Sequence, residues 1–434
     1  MSQASRVVFA LAVSVATSSA AQTADLCVGA RSTKAAGSTQ GNVTPAEVCR
    51  VLSVLAHDSL EGRGTGTVGG ARAARFIAEE MRAAGLEPAG DSGFFQRVPI
   101  VRVTRTGRPT RVASFAVRDT FPADQRGVAV NVVGILRGSD PVLKDSVVLV
   151  DAHYDHLGVR ATGAIDVDSA QAFAVLAAPI IAERMQYAKT NNIVLRGRGG
   201  GTMTDEQRSA VAAFQSRIDA LRVDMAAVRR THPKARMDSV YNGADDDASG
   251  TVAVLEIAKQ MARGPRPKRT IVFAATTGEE VGLIGTRWYI EHPVMPLSAM
   301  QANLEIEMIG RPDSLAGGPG RAWLTGYERS TMGPSFASAG LAVVADKRLE
   351  QQFFSRSDNI AFAQMGIPAH TLSSFNLHTD YHQLTDDITH VDFAHMAGVI
   401  NIGVRAVELL ANGPAPHWNP GGQPAGRPDR PVTP

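Results

Sequence analysis

His153 and Asp155 stand where an apolar, strand-like run gives way to a loop. Residues 147–156 read V-V-L-V-D-A-H-Y-D-H, and α/β enzymes bind ligands at the carboxyl ends of such strands. One nitrogen of an imidazole can bind a cation while a carboxylate two residues away orients the other nitrogen. The pair therefore predicts a metal site. A histidine that hydrogen-bonds only neighbouring backbone is the alternative for this motif taken alone.

Three consecutive aspartates form a second segment with chemical potential, N-G-A-D-D-D-A-S-G at residues 242–250. Adjacent carboxylates repel each other and raise one another's pKa, so such a triplet is best stabilised by a cation. Capping of the following helix is the alternative, but one aspartate is sufficient for a cap. Asp245, Asp246 and Asp247 thus form a second predicted metal-binding segment.

Glu279 and Glu280 follow a buried-strand pattern, R-T-I-V-F-A-A-T-T at residues 269–277. Neighbouring side chains on an extended backbone point to opposite sides, so one glutamate can bind a metal while the other transfers a proton. A solvated pair on a loop is the alternative. Two later segments complete the set, N-L-E-I-E-M-I-G-R at residues 303–311 and L-H-T-D-Y-H-Q-L-T-D-D at residues 377–387.

These segments, in this order, resemble the co-catalytic zinc peptidases of the M28 family. The resemblance extends over about residues 43–410 and includes L-A-H-D-S-L-E-G-R-G-T-G-T-V-G-G at residues 55–70. It implies a zinc-exopeptidase fold, a peptide substrate and two zinc ions that activate water, although mixed imidazole and carboxylate ligands also suit cobalt or manganese. The implied activity is that of a secreted aminopeptidase, which hydrolyses N-terminal residues of peptides.

The resemblance also implies the ligands of each ion. They are His153, Asp246 and Glu307 for the first zinc, and Asp246, Glu280 and His382 for the second, with Asp246 bridging both.

Three further residues resemble catalytic groups of the family. Glu279 corresponds to the general base, which takes a proton from water and passes it to the leaving amine. Asp155 corresponds to the partner that orients His153. Tyr381 corresponds to a hydrogen-bond donor for the substrate oxyanion, with ordinary packing as the alternative.

Glu307 is the departure from the family's pattern, which has aspartate at this position. Glutamate is one methylene longer, so its carboxylate still reaches a metal but from a shifted direction, where it crowds one end of the substrate. Carboxypeptidase-type specificity therefore remains an alternative to aminopeptidase specificity. Glu305, on the same face of the strand, competes for the ligand role and ranks below Glu307 because of the M-I-G-R register.

Other polar residues near these motifs receive simpler interpretations. His156 and His378 are interpreted as loop residues beside the ligands. Arg311 and Arg356 are predicted substrate-anchoring cations, with solvated surface as the alternative.

Composition defines the class of fold. The chain has 434 residues, 44% hydrophobic content and a formal net charge of +2. Apolar strands that alternate with helical stretches predict one α/β domain, a mixed, mostly parallel β-sheet covered by helices on both faces. The balanced charge gives no reason to expect nucleic-acid binding. Only about 50 residues separate Phe95 from Val147, too few for an additional protease-associated domain.

Residues 160–237 are predicted to form a helical hairpin inserted between two ligand-bearing loops. An Ala-rich segment at residues 169–185 precedes a Gly-rich break, and a capping box, T-D-E-Q at residues 204–207, starts a second helix. Its apolar residues recur at spacings of three and four: Val211, Phe214, Ile218, Leu221, Met225 and Val228. The hairpin can act as a lid that limits substrate length, form a homodimer contact, or only decorate the fold.

The two ends are predicted to lie outside the domain of residues 22–412. Residues 1–21 have a basic start, an apolar core and small residues before the cleavage point, as in a secretory signal peptide, and no other apolar run reaches the length that a bilayer requires. The mature protein is therefore expected to be secreted or periplasmic, where Cys27 and Cys49 can form a disulfide. Residues 413–434, rich in Pro and Gly, predict a disordered tail.

Two other functions are compatible with parts of this pattern. A glutaminyl-cyclase-like acyl transferase has a similar fold but uses one zinc, and the bridging Asp246 with both histidines argues against it. A non-catalytic binding module on a peptidase-like scaffold would lack ligands, and none is missing here. The number of bound zinc ions separates the three functions: about two for the peptidase, about one for the cyclase and none for the binding module.

Overall fold

The computed structural model describes residue 27 and residues 43–102, 109–191, 193 and 203–426. Within these residues the chain forms a ten-stranded sheet, two separate two-stranded ribbons and eleven α-helices. The strands are β1 Glu87–Pro88, β2 Phe95–Arg102, β3 Pro109–Arg111, β4 Arg126–Leu136, β5 Val147–His153, β6 Gly158–Val159, β7 Ile165–Asp166, β8 Met237–Asp238, β9 Val240–Tyr241, β10 Thr270–Thr276, β11 Met300–Ile306, β12 Ala322–Leu324, β13 Val343–Ala345 and β14 Ala369–Ser373. The helices are α1 Pro45–Leu55, α2 Val68–Ala83, α3 Phe115–Arg118, α4 Val167–Thr190, α5 Asp205–Asp219, α6 Met225–Thr231, α7 Gly250–Arg263, α8 Ile284–Glu291, α9 Met332–Ser338, α10 Asn359–Gln364 and α11 Phe393–Asn412.

The sheet has the strand order β13-β12-β14-β11-β5-β10-β4-β2-β3, with β1 paired to β4. Its four central strands, β14, β11, β5 and β10, are parallel to one another. Antiparallel strands flank this centre on both sides, β12 against β14 and β4 against β10. The predicted fold class, a mixed, mostly parallel sheet covered by helices on both faces, is confirmed.

The central strand β5 is buried on both faces, which explains why it reads as an unbroken apolar run. Val148 and Val150 face one core, which α1, α2, α7 and α11 cover. Val147 and Leu149 face the second core, which includes residues of α8 and α10. A strand packed on both faces gives His153, its last residue, a fixed position at the edge of the sheet.

The predicted helical hairpin forms, with one difference. α4 packs against α5 through a small apolar cluster that includes Ile180 and Ile218, and the capping box at Thr204 starts α5. The predicted second helix, however, is divided into α5 and α6. Asp224 accepts hydrogen bonds from two backbone N–H groups in the first turn of α6 and so starts a new helix.

The two ends of the domain are tied to each other and to the core. Asn401 of α11 binds the backbone of Val43 twice, accepting from its N–H and donating to its C=O, each at 3.0 Å. Cys27 and Cys49 form a disulfide, which the sequence allowed but did not decide. The predicted signal peptide, residues 1–21, lies outside the described residues.

Residues 413–426 pack against the domain, which corrects the prediction of a disordered tail for this part. The indole N–H of Trp418 donates to the backbone oxygen of Gly366 at 2.9 Å, and its ring lies against that of His370. An aromatic anchor of this kind offsets the ordering cost of a Pro- and Gly-rich segment, and composition alone does not reveal it. Residues 427–434 lie outside the described part of the chain.

Among the described helices, α11 is the one whose length and composition would allow it to cross a membrane. In this structure most of the helix is buried in the core of the domain.

Candidate active site

The parallel strands β11, β5 and β10 bring their carboxyl ends to one edge of the sheet. His153 ends β5, Glu279 and Glu280 follow β10, and Glu307 follows β11. The turn before the two glutamates depends on Gly278, whose φ of 75° lies in the left-handed region that glycine adopts without a steric cost. The strand ends therefore collect side chains from three distant segments at one place.

Two groups of ligand atoms form at this edge and share Asp246. In the first group, His153 Nε2 lies 3.4 Å from Asp246 Oδ1 and 3.8 Å from Glu307 Oε1. In the second group, His382 Nε2 lies 3.1 Å from Asp246 Oδ2 and 3.2 Å from Glu280 Oε2. The structure thus brings all five predicted ligands together and places Asp246 between the two groups.

His156, which sequence reasoning missed, contributes to the second group. Its Nδ1 lies 2.8 Å from Glu280 Oε1 and 3.8 Å from Asp246 Oδ2, and its side chain is fully buried. This placement corrects the interpretation of His156 as no more than a loop residue. The available signal was its position three residues after His153, from which a turn can return a second imidazole to the same edge.

The donor set fits a pair of zinc ions. Several buried nitrogen and oxygen atoms that can bind a metal have no hydrogen-bond partner within the described chain. They are His153 Nε2, Asp246 Oδ2, Glu280 Oε1 and both ring nitrogens of His156. Such orphaned polar atoms are costly, and imidazoles combined with carboxylates are ligands that zinc prefers. Ligands bound tetrahedrally to zinc at about 2.0–2.1 Å lie roughly 3.3 Å from one another, close to the separations found here.

Asp155 acts differently from the prediction. His153 Nδ1 lies 3.0 Å from the backbone oxygen of Asp155, while the nearest Asp155 carboxylate oxygen is 3.8 Å away. The carboxylate instead accepts hydrogen bonds from the Thr65 hydroxyl at 2.7 Å and the Glu279 backbone N–H at 3.1 Å. The backbone carbonyl therefore orients the imidazole, and the carboxylate joins the His153 loop to the loop of the predicted general base.

Asp246 is positioned by carboxylates that bind backbone. The Asp386 carboxylate accepts hydrogen bonds from the N–H groups of Asp245 and Asp246, each at 3.0 Å. Asp247, joined to Asp246 by a cis peptide bond, accepts from the N–H of Met308 at 3.0 Å. Sequence reasoning missed these positioning roles because a carboxylate that binds backbone N–H groups has the same sequence pattern as a metal ligand.

Arg63 supports both ligand loops from within the core, a role that the sequence analysis did not assign. Its fully buried guanidinium donates to the backbone oxygens of Tyr154 at 2.7 Å, Leu55 at 2.6 Å and Gly243 at 2.8 Å. Burial lowers the pKa of Arg63 to about 10. Tyr154 follows His153 directly, so one side chain fixes loops on both sides of the donor groups. The available signal was its place between two glycines in the N-terminal motif.

Glu305 is not within the two donor groups. Its carboxylate accepts hydrogen bonds from the Thr371 hydroxyl at 2.7 Å and from the N–H groups of Asp358 and Asn359 at 3.0 Å each. Burial, with the nearby charge of Glu307, raises the pKa of Glu305 to about 8. Both of its oxygens are occupied by these bonds, and Glu307 is the glutamate of this strand that lies near His153.

A cleft of ≈ 470 Å³, including its opening to solvent, lies beside the donor groups. Glu279, Glu307 and Arg356 line it. Its walls carry four aromatic side chains: Trp323, Phe353, Phe375 and Tyr381. Such walls suit an apolar side chain of a substrate.

Tyr381 is one of the residues that line this cleft. Its ring stacks on that of His382 with 3.9 Å between the centroids. Burial, with the carboxylates of Asp246 and Glu280, raises the pKa of the phenol, so it stays protonated. Among the described residues the hydroxyl has no hydrogen-bond partner, so it is free to donate to a substrate.

The two predicted substrate-anchoring arginines differ in the structure. Arg311 Nη1 pairs with Asp380 at 2.6 Å and is largely buried, so it belongs to the scaffold. Arg356 is exposed and lines the cleft, with its guanidinium carbon 5.0 Å from the Phe353 ring centroid. Within the described part of the chain no carboxylate pairs with Arg356. His378 also belongs to the scaffold, because its Nε2 lies 2.9 Å from an oxygen of Asp245.

Glu279 lies in the cleft next to both donor groups. Burial raises its pKa well above the ordinary value for glutamate, and the carboxylates of Glu280 and Glu307 add to this effect. The site thus places several carboxylates close together, and their mutual repulsion costs free energy. Bound cations offset that cost.

A sheet whose strand ends carry two donor groups that share one carboxylate, beside a cleft with a free glutamate, is an arrangement suited to metal-assisted hydrolysis. The chain belongs to peptidase family M28: the model of this family matches residues 131–197 and 212–405, more than half of the chain. The resemblance drawn from the sequence motifs is confirmed.

Curated relatives match parts of the chain. It is 33% identical over 146 residues to "Leupeptin-inactivating enzyme 1" of Streptomyces exfoliatus, which covers 32% of this chain and 31% of that protein. It is 27% identical over 265 residues to "Probable lipoprotein aminopeptidase LpqL" of Mycobacterium tuberculosis, which covers 52% of each. The chain thus spans between about a third and about half of the length of these relatives.

Among solved structures, the fold is similar to that of BSAP, a zinc aminopeptidase from Bacillus subtilis. The TM-score is 0.50 at 14% identity, and the likeness covers 85% of this chain and 95% of that one. At this level of identity the likeness concerns the fold alone.

Proposed function

We propose that this protein is a two-zinc exopeptidase, an aminopeptidase that hydrolyses the N-terminal residue of peptides. The observation that carries the proposal is the sharing of Asp246 by two donor groups at a cleft that also contains Glu279. A one-zinc acyl transferase has no use for the second group. A binding module has no use for a carboxyl group placed to transfer protons.

The residues present would hold the ions as two sets that share Asp246. His153, Asp246 and Glu307 would bind the first zinc, and Asp246, Glu280 and His382 the second. When bound, such a pair lowers the pKa of an attacking water and polarises the scissile carbonyl.

Glu279 then performs the proton transfer. Its backbone N–H is held by the Asp155 carboxylate at 3.1 Å, which fixes the side chain at the edge of the cleft. It accepts the proton of the attacking water and passes it to the leaving amine. The protonated Tyr381 hydroxyl donates a hydrogen bond to the oxyanion that develops on the substrate carbonyl.

Charge in the cleft supports recognition of a free amino end. The carboxylates of Glu279 and Glu307 attract an ammonium group, and the aromatic walls accept the side chain beside it. One observation favours carboxypeptidase-type specificity as the second candidate, namely the free guanidinium of Arg356, which can bind a terminal carboxylate. The length of the Glu307 side chain affects both aminopeptidase and carboxypeptidase specificity, because it sets the space available to the terminal group of the substrate.

Hydrolysis of matched peptides tests the proposal. We expect a free peptide and its C-terminally amidated form to be cleaved alike, and the N-acetylated form to be resistant. The reverse pattern would assign the protein to the carboxypeptidases. Resistance of all three, with two zinc ions bound, would contradict an exopeptidase.

The variant Glu279→Gln tests the role of the base. Without a carboxyl group to transfer the proton, we expect kcat to fall by a factor of about 100 to 10,000, while the zinc content measured by mass spectrometry stays that of the wild type. A variant that retains wild-type kcat would remove Glu279 from the mechanism.

We further propose that the protein acts outside the cytoplasm, in a secreted or periplasmic form. The predicted signal peptide and the Cys27–Cys49 disulfide support this location. Sequencing the N-terminus of protein recovered from outside the cytoplasm tests it.

A further inference from the structure

We propose that His156 is a fourth protein ligand of the second zinc, beside Asp246, Glu280 and His382, and that it makes the second site the tighter of the two. This assignment rests on the two-zinc function proposed above. Neither the family's ligand pattern nor the sequence motifs include His156 in that role.

The first observation is that the His156 ring is buried with its hydrogen-bonding groups unsatisfied, beside the carboxylate of Glu280 and the ring of His382. Its side chain is 0% exposed, and neither ring nitrogen has a hydrogen-bond partner among the described residues. Nδ1 lies 2.8 Å from Glu280 Oε1, but the contact does not have hydrogen-bond geometry. Two buried ring nitrogens without hydrogen bonds are costly, and a bond from Nδ1 to a metal removes part of that cost.

Other buried histidines of this chain show the contrast. His370 has both nitrogens bonded, one to a backbone oxygen and one to a hydroxyl, each at 2.7 Å. His395 also has both bonded, at 2.8 Å and 2.9 Å. His153, the predicted ligand of the first zinc, has Nδ1 bonded and leaves Nε2 directed at the donor group. His156 therefore differs from the structural histidines and resembles a ligand.

The second observation is that the backbone makes room for the imidazole. Gly243 precedes the aspartate turn, and a Cβ atom there would lie 2.5 Å from Cγ of His156, closer than real atoms approach. Its φ of 53° is also left-handed. Glycine at this position thus allows the His156 ring to lie directly against the segment that carries Asp246.

The two ions would then differ in the number of protein donors. The second site has two imidazoles and two carboxylates, a complete tetrahedral set of the kind found in closed zinc sites. The first site has one imidazole and two carboxylates, which leaves a position for water and substrate. We therefore expect the second zinc to bind more tightly and the first zinc to be lost first.

Stepwise zinc affinities test the inference. Metal-free wild-type protein is titrated with zinc against a chromophoric chelator, together with His156→Phe, which keeps a ring of similar volume but has no nitrogen. We expect two unequal steps in the wild type. In the variant the tighter step should weaken by more than about 100-fold, beyond the 10- to 100-fold effect of losing a residue that only orients a ligand.

A matched control is His292→Phe. His292 stacks on Trp288 of α8 with 3.8 Å between ring centroids and belongs to neither donor group, so both zinc steps should stay unchanged. Two steps in His156→Phe that equal those of the wild type would overturn the role of His156 and leave the two-zinc function intact. Wild-type protein that binds fewer than two zinc ions would overturn the proposed function itself.

X-ray absorption spectroscopy of the zinc-loaded wild type tests the same inference without a substitution. If His156 is a ligand, three imidazoles are shared between two ions; if it is not, only two are. A spectrum that fits two imidazoles would exclude His156 as a ligand even if the His156→Phe variant failed to fold.

Discussion

Arg63 contacts neither donor group, yet its guanidinium connects the loops that carry them. It binds backbone oxygens that follow His153 and that precede the aspartate turn, so both loops share one support. Asp386 has the same kind of role, because its carboxylate holds the backbone N–H of Asp246. At the scale of the residue, the site therefore depends on side chains that bind backbone as well as on its ligands.

Arg63→Met should destabilise the protein strongly. It removes a buried group that satisfies several backbone oxygens, and we expect the free energy of unfolding to fall by about 3 kcal/mol or more, measured by chemical denaturation. The control is Arg72→Met. Arg72 pairs with Glu61 at 3.1 Å, but both side chains are more than 40% exposed (45% and 43%), so its loss should cost less than about 1 kcal/mol. Equal losses in the two variants would contradict the role of Arg63.

The five predicted ligands are assigned through the resemblance of their segments to the M28 motifs, and the structure brings their side chains together. The role of His156 could not be predicted in this way. It depends on where the loop after β5 places the ring, and on the space left by Gly243. Whether the carboxylate or the backbone oxygen of Asp155 orients His153 also depends on the three-dimensional structure.

At the scale of the element, most strands and helices of the site follow from local pattern. β5 and β10 read as strands because unbroken apolar runs belong to strands buried on both faces, and the capping box at Thr204 correctly starts α5. The division between α5 and α6 could not be predicted from periodicity, since the apolar stripe continues through Leu221 and Met225. The Asp224 side chain accepts hydrogen bonds that start a new helix, so the helix is interrupted there although the apolar periodicity continues.

The inserted hairpin stands beside the active site. Gln171 of α4 accepts a hydrogen bond from the hydroxyl of Thr385 at 3.2 Å, in the same loop as His382. α4 also carries exposed apolar side chains, including Phe173 and Leu176. The hydrogen bond between Gln171 and Thr385 supports a role of the hairpin as a lid. The exposed apolar residues of α4 support its role as a homodimer contact.

Replacing residues 160–237 with a short Gly- and Ser-rich linker separates these roles. If the hairpin is a lid, kcat/KM for long peptides should rise relative to that for dipeptides, because the limit on substrate length is removed. If it is a dimer contact, sedimentation should show a dimer in the wild type and a monomer in the variant. A dimer lost with unchanged peptide kinetics would exclude the lid.

At the scale of the whole molecule, the two cores on either side of one sheet could be expected from the alternation of apolar strands with helices. The packing of residues 413–426 could not, because composition rich in Pro and Gly is typical of disorder. This segment is held by the Trp418 indole and by further hydrogen bonds to residues distant in sequence, such as that from the Asn419 side chain to the backbone oxygen of Glu328 at 2.8 Å. Such long-range contacts have no signature in local sequence.

Trp418→Ala tests the contribution of this segment. The substitution removes the hydrogen bond to Gly366 and the ring contact with His370, and we expect a loss of about 1–3 kcal/mol in the free energy of unfolding, with residues 413–426 becoming sensitive to proteases. Removal of residues 427–434 serves as the comparison and should leave the melting temperature unchanged. Unchanged stability of Trp418→Ala would show that the segment is not anchored through its indole.

The bond between Asn401 and Val43 has a consequence for how this chain tolerates rearrangement. The side-chain amide of Asn401 pairs with both backbone groups of Val43, as a neighbouring strand would do. The segment that leads into α1 therefore lies alongside α11. A polypeptide whose ends meet in this way is nearly circular in its connectivity. A linker from a point after Trp418 to a point before Cys27 keeps both attachments, and a chain joined in this way and opened at a surface loop should retain the same sheet.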